Sequence, residues 1–302
     1  MKNLIFPGAL ALTIITGCSH KITGNAASSA TTTVAPKPTG EINLQKGQAY
    51  NVESKLTTSS SSEVQGQTME TSADVTSVYN LAVNDATGDK YKMSNKIASI
   101  KMSMNTMGQS INFDSDNKED MNGEIGSNLK GFINQPQQVT KDKWGNNKTD
   151  STQAADSTTK SDTNPTAIML KQMGDPAAQG YGAKLAFRYF PRGTTAGTTW
   201  QDSTSKDGTT TVTNFTIKEV NGDTATIQTS GTDNRETKTE VQGMEIQTKT
   251  TGVFSGEEFV NIKTGVISKT TSTMNAKGTV SVMGQDIPTT IKVTSVNTVT
   301  QQ

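Results

Sequence analysis

The 302-residue sequence predicts a mainly β protein: an antiparallel open barrel or half-barrel built from two related halves, with one or two short helices between them. Three observations carry this. Thr, Val, Ile, Ser and Lys alternate over long stretches, the period that turns one face of a strand inward. Gly, Asn and Asp recur at hairpin spacing, and short antiparallel connections exclude a parallel βαβ architecture. Third, short motifs recur at a nearly constant offset. Glu63-Val64-Gln65-Gly66 returns as Glu240-Val241-Gln242-Gly243 (240 − 63 = 177), and Val83-Asn84-x-x-Thr87-Gly88 as Val260-Asn261-x-x-Thr264-Gly265 (260 − 83 = 177). Met107-Gly108-Gln109-x-Ile111 returns as Met283-Gly284-Gln285-x-Ile287 at an offset of 176. The competing arrangement is a two-lobed β-sandwich.

The amino terminus reads as an address. Met1-Lys2-Asn3 is a short basic start, followed by a mostly apolar run from Leu4 to Ile15. The run falls short of the ~20 apolar residues that span a bilayer, but has the length of a signal-peptide centre. It ends in Ile15-Thr16-Gly17-Cys18, which resembles the lipobox of bacterial lipoproteins. That resemblance implies a signal peptide over residues 1–17, lipidation of Cys18 and cleavage before it. Each buried acyl methylene contributes about 0.8 kcal/mol and stable anchoring takes two chains, a condition that a tri-acylated cysteine meets. Ser19 in place of Asp resembles an outer-membrane sorting signal, and with no acidic cluster after it to mark surface export, the periplasmic face is expected. The rest of residues 18–40, small, polar and Pro-bearing, form a flexible stalk.

The β-rich domain is expected over residues 41–300, with repeat halves at about 41–115 and 192–300 and a helical and loop connector over 116–191. In the first half, Ile100 to Met104 is a clean period-2 run. In the connector, Leu129, Phe132 and Ile133 share one helical face over Asn128–Gln135, ended by Pro136. A polar tract over residues 145–163 cannot bury enough surface to offset its ordering entropy and is expected to be mobile. Pro165 to Met173 suits a second helix, and Leu185, Phe187 and Tyr189 then alternate into Pro191. In the second half, Phe215 to Val220, Asn221-Gly222 and Asp223 to Gln228 spell a hairpin with a type I′ turn. Val260–Ser268 and Val280–Val293 spell two more. Gly47-Gln-Ala-Tyr50 matches Gly197-Thr-Thr-Trp200 at an offset of 150, and the Phe215 hairpin accounts for the 27 extra residues (177 − 150).

Composition restricts the chemistry. Only 31% of the chain is apolar and 5% aromatic, so the core must be thin. Lys plus Arg and Asp plus Glu balance at 28 each, which points to no nucleic acid partner. Cys18 is the sole cysteine and His20, in the stalk, the sole histidine. Thiol catalysis, His-based triads and most zinc, copper or haem sites therefore have no ligands in the folded part. Carboxylate, Lys, Ser and Tyr chemistry remains open.

Four constellations merit weighing. Asp114-x-Asp116-x-Lys118-x-Asp120 resembles a calcium loop, but Glu119 stands where Gly is needed, Ile125 where Glu is needed, and Lys118 puts a cation among the ligands. Met102-x-Met104-x-x-Met107 resembles a copper(I) motif, yet Met102 and Met104 share a strand face with Ile100 and read as core. Glu257 and Glu258, adjacent on a strand, point to opposite faces and cannot work as a pair. The aromatic segment holding Phe187, Tyr189 and Trp200 either packs the core or faces an apolar ligand on the concave side of the sheet.

The lipobox, Leu44-Gln-Lys-Gly47-Gln-Ala-Tyr50, the Leu129 to Gly145 segment, and Phe190-Pro191 leading to Gly197-Thr-Thr-Trp200 together resemble a family of Bacteroidota-type envelope lipoproteins known only as a domain of unknown function. The likeness spans nearly the whole mature chain, the polar insertion after Gly145 being longer than that family leads one to expect. It carries no known activity. The expectation is a non-catalytic envelope lipoprotein, tethered to the membrane through acylated Cys18, with no catalytic residues, metal or cofactor. Its expected partner is a lipophilic ligand or an envelope component. The alternatives are a structural or partner-binding lipoprotein without a small-molecule pocket and, more remotely, a carboxylate-dependent hydrolase.

Overall fold

The period-2 runs become long strands. A computed structural model describes residues 40–302 apart from 65, 107, 147–180, 207, 242, 243 and 283. The signal peptide, Cys18 and most of the stalk, residues 147–163 of the polar tract and the expected helix at Pro165–Met173 lie outside the described residues. Among those described, eleven strands form one antiparallel sheet. They are β1 (Ala49–Val64), β2 (Gln67–Thr87), β3 (Lys90–Thr106), β4 (Gln109–Asp114), β5 (Gln137–Asp142), β6 (Thr199–Lys206), β7 (Thr209–Asn221), β8 (Thr224–Val241), β9 (Met244–Asn261), β10 (Ile267–Val282) and β11 (Gln285–Gln301). The order is β4-β3-β2-β1-β11-β10-β9-β8-β7-β6, with β5 pairing the other end of β3. The sheet is open: β4 and β5 form one edge and β6 the other. The halves join edge to edge through β1 and β11, so the two-lobed sandwich is not what forms.

The internal repeat has a topological counterpart. The sequential order β1-β2-β3-β4 recurs as β8-β9-β10-β11. Thr87-Gly88 lies in the β2–β3 connection and Thr264-Gly265 in the β9–β10 connection, although the second loop is longer: Thr87 pairs with Lys90, whereas Val260 pairs with Ile267. The upstream pair shares its local geometry, although it opens β1 and β6 and not β1 and β8. Gly47 and Gly197 sit at φ +89° and +87°. Their amides donate to Val83 at 2.9 Å and Ile217 at 2.8 Å, and the amides of those residues donate back to Gln48 and Thr198.

Three local expectations shift. At the β7–β8 turn, Asn221 pairs with Thr224, leaving Gly222-Asp223 as the central residues. Gly222 has φ +58° and Asp223 does not have a positive φ. That is the sign pattern of a type II′ turn, not type I′, and its Gly-first preference is met by Gly222. Three short helices, not one or two, appear among the described residues: α1 (Lys118–Asn122), α2 (Glu124–Leu129) and α3 (Tyr181–Ala186). Helix formation begins before Asn128, because the Asn117 side chain caps α1 by accepting from the Glu119 amide at 2.8 Å. Past Leu129 the chain turns, with Asn134 at φ +62°, yet Leu129 and Ile133 are buried. Leu185 falls within α3, so the expected extended alternation begins only at Phe187.

The core occupies the inner face of the sheet. On β1, β2 and β3 it comprises Val52, Tyr79, Leu81, Met93 and Ile97, covered by Leu129, Ile133, Ala183 and Phe187 from the connector. A second cluster joins Phe190, Trp200, Phe215, Ile217, Ile227 and Val260, and a third Met274, Ala276, Ile291 and Val293. Met102 is buried in the first cluster with Met104 packed against it, as their shared face with Ile100 predicts. Elsewhere the inner face is polar, with Thr58, Ser60, Thr211, Thr248, Thr250 and Thr289 buried. The buried apolar residues thus form one main cluster and two smaller ones, with polar side chains between them.

From α3 the chain crosses this face as an extended strap over residues 187–190. Phe187 bridges Val266, the Arg188 amide donates to Gly265 at 2.8 Å and the Phe190 amide to Gly40 at 3.0 Å. Gly265 has φ +73°, and a Cβ there would lie 2.7 Å from the Arg188 carbonyl oxygen. Gly265→Ala is therefore expected to cost about 2 kcal/mol, from the left-handed backbone and the displaced strap together. Thermal unfolding of the variant measures it. An unchanged melting temperature would mean that the strap is not held by this turn.

Candidate functional site

Beneath the strap lies a cavity of about 230 Å³, bounded by the end of β5, α3, residues 187–189 and the inner faces of β6 to β11. Its wall combines aromatic rings (Tyr181, Phe187, Tyr189, Phe215, Phe254) with Lys141, Lys184, Arg188, Asp202 and Glu258. A larger hollow of about 930 Å³ lies around Ser59, Ser61, Glu70, Asn275, Lys277 and Lys292. Its lining mixes these side chains with the buried Ser60, Ala276 and Ile291. No buried charge lines that hollow, so the inner cavity is the stronger candidate.

Lys141 reaches the cavity by strand alternation: Val139 and Lys141 share one face of β5, and both are buried. Only 4% of Lys141 is exposed, and among the described residues its one hydrogen bond goes to the Gly145 carbonyl at 3.2 Å. Burial, then the positive charges of Lys184 and Arg188, pull its pKa down to about 7, opposed by the neighbouring Asp142. Asp142 is itself buried and accepts from the amides of Trp144 at 3.0 Å and Asn146 at 2.8 Å. Burial also raises the phenols of Tyr181 and Tyr189 above the usual range.

Glu258 and Phe215 both hold the Arg188 side chain. Its Nε donates to Glu258 Oε2 at 2.8 Å and its Nη2 to Oε1 at 2.6 Å, a fork-on-fork pair. Its guanidinium lies 4.7 Å from the centroid of Phe215. Glu257, one residue from Glu258, faces the other way toward Lys218, as strand alternation requires. Deeper on the inner face, Asp233 accepts from Arg235 Nε at 2.7 Å and from Thr211 at 2.8 Å. Asn297 lines the cavity, and its buried Oδ1 has no partner among the described residues.

The aromatic residues singled out from sequence divide. Phe187, 5% exposed, forms part of the wall and meets Tyr50 edge-on at 5.5 Å. Tyr189 lines the cavity as well. Trp200 does not: it stacks behind Phe215 at 4.9 Å and 7°, with Phe190 against it at 6.2 Å. The acidic segment from Asp114 is engaged locally, Asp120 accepting from the Asp114 amide and Lys101 lying 3.0 Å from Asp114 and 3.4 Å from Asp116. Sequence reading missed Lys141 and Arg188. A lysine two places from Val139 on a short strand was the available signal for the first. Together these groups offer a desolvated positive charge beside aromatic walls.

No curated protein matches the chain. Among solved structures, lipovitellin, in a study of its lipid–protein interactions, matches at 10% identity and a TM-score of 0.44, over 86% of this chain and 26% of that one. The chain thus spans about a quarter of that protein's length. An outer membrane channel from Pseudomonas putida F1 matches at 7% identity and a TM-score of 0.25, over 89% of this chain and all of that one. The model of a family of unknown function (DUF6263) matches residues 89–267, more than half of the sequence, and the chain belongs to that family.

Proposed function

We propose that this protein is a non-catalytic envelope lipoprotein of the Bacteroidota type, tethered by acylated Cys18, and that it holds a small amphiphilic ligand or envelope component in the inner cavity. The observation that carries the reading is the pairing of aromatic walls with buried charge in one cavity. At about 230 Å³ the space is smaller than the ~300–1,000 Å³ of drug-sized ligand pockets. A long lipid chain does not fit inside it, so the ligand is short or only its polar end enters. The second reading, a structural lipoprotein without a ligand, draws on the extent of inner face already filled by its own Thr and Ser side chains.

Two measurements test this, one the tether and the other the ligand. Cys18→Ser is expected to abolish labelling by a fatty-acid probe, and labelling that persists would remove the tether. Native mass spectrometry of protein purified from its own membrane is expected to show an added small-molecule mass, reduced in a Phe187→Ser variant that keeps its circular dichroism. Spectra without added mass in either protein would leave the structural reading.

A further inference from the structure

We infer that the inner cavity takes the acid group of a small organic anion, a carboxylate or phosphate ester with a short apolar part, and that Lys141 is its ion-pair partner. This rests on the ligand-binding reading above and specifies its chemistry.

The argument starts from what a buried ammonium requires. It carries three N–H donors, and taking it from water without acceptors is costly. Lys141 is almost fully enclosed, yet the described residues give it one carbonyl, at 3.2 Å. The nearby carboxylates do not supply the rest. Glu258 forms a bidentate pair with Arg188, and Asp142 accepts from the Trp144 and Asn146 amides. Lys184 on α3 and Arg188 on the strap both add positive potential at Lys141. A site built this way discourages its own lysine from charging and reverses that preference when an oxyanion arrives. Phe187 and Phe215 on the same wall suit the apolar part.

Proton linkage follows with a definite sign. Burial holds the Lys141 pKa at about 7, far below a solvated lysine. Between there and the ordinary lysine range the unfolded chain binds more protons, so the empty protein gains stability as pH rises through that window. A bound anion raises the Lys141 pKa, so binding takes up a proton and weakens as pH rises from 7 to 9. The other titratable groups facing this space are Asp142 on β5, Tyr181 and Lys184 on α3, Tyr189 on the strap, Asp202 on β6 and Glu258 on β9.

The test uses the full chain carrying Cys18→Ser, so that no acyl group competes, with Trp144 fluorescence and titration calorimetry as readouts. The probes are octanoate, octyl phosphate, inorganic phosphate and octanol. Octanoate or octyl phosphate is expected to bind with proton uptake at pH 8, and Lys141→Met to weaken that binding at least tenfold and abolish the uptake. Lys184→Gln, which leaves Lys141 in place, is expected to weaken it less while uptake persists. Preference for octanoate marks a carboxylate ligand, and preference for octyl phosphate or inorganic phosphate marks a phosphate. Octanol binding as tightly as the anions, or an unchanged affinity in a folded Lys141→Met, would overturn the inference and leave the cavity reading standing. Failure of every probe would overturn it too, and with no co-purified ligand in native mass spectra the cavity reading falls as well.

Discussion

Replacing Glu258 with Ala should cost about 3–5 kcal/mol of folding stability, the range for removing one partner of a buried ion pair. Glu258 and Arg188 side chains are 7% and 15% exposed, and their bidentate contact spans 70 residues of sequence. Without the carboxylate, the guanidinium loses its bidentate partner while staying over Phe215 and near Lys141. Glu258→Gln should cost less, since the amide keeps one acceptor. The double variant Arg188→Met with Glu258→Leu should recover most of the loss, because a buried pair is often no better than well-packed apolar side chains. Urea denaturation of the four proteins decides this. A cost below about 1 kcal/mol for Glu258→Ala would mean that the pair behaves as a solvated surface bridge.

Trp200→Ala should be comparably severe, about 3–5 kcal/mol, through lost apolar transfer and a cavity that its neighbours cannot fill. Trp200 lies on β6, an edge strand with one pairing partner, and its stack on Phe215 joins that edge to the strap through Phe190. Trp200→Phe should keep more than half of the stability. Equal costs for the two substitutions would assign the effect to the indole alone and not to ring packing.

The hairpins were legible because their signals are local: alternation sets the faces and a small turn residue sets the register. Repeats at one offset signalled halves of like topology. Central pairing of β1 with β11 was not legible, since register between Tyr50 and Gln301 leaves no mark within a sequence window. The connector misled in a physical way. Leu129, Phe132 and Ile133 have helical spacing, and two of them are buried, but the Asn117 cap and the break at Gly123 place the helices earlier. For the candidate site, Phe187 and Tyr189 stood out as large rings. Arg188, between them, gains its meaning only from Glu258 on a distant strand. Trp200 drew attention by the same size, which the fold uses behind the wall instead of on it.

The seam between β1 and β11 has a consequence for the order in which the protein is made. Tyr50 must wait for Gln301, 251 positions later (301 − 50 = 251), before the centre of the sheet can form. Pairings so distant in sequence are slow to nucleate. Until then β1 can hydrogen-bond β2 on one side, while its other side is a ready template for a foreign strand. From Thr57 to Ser62 that waiting strand reads Thr-Thr-Ser-Ser-Ser-Ser, a stretch with little apolar surface to reward a wrong partner. The hydroxyl-rich half of β1 thus offers a foreign strand little to pack against before the fold exists.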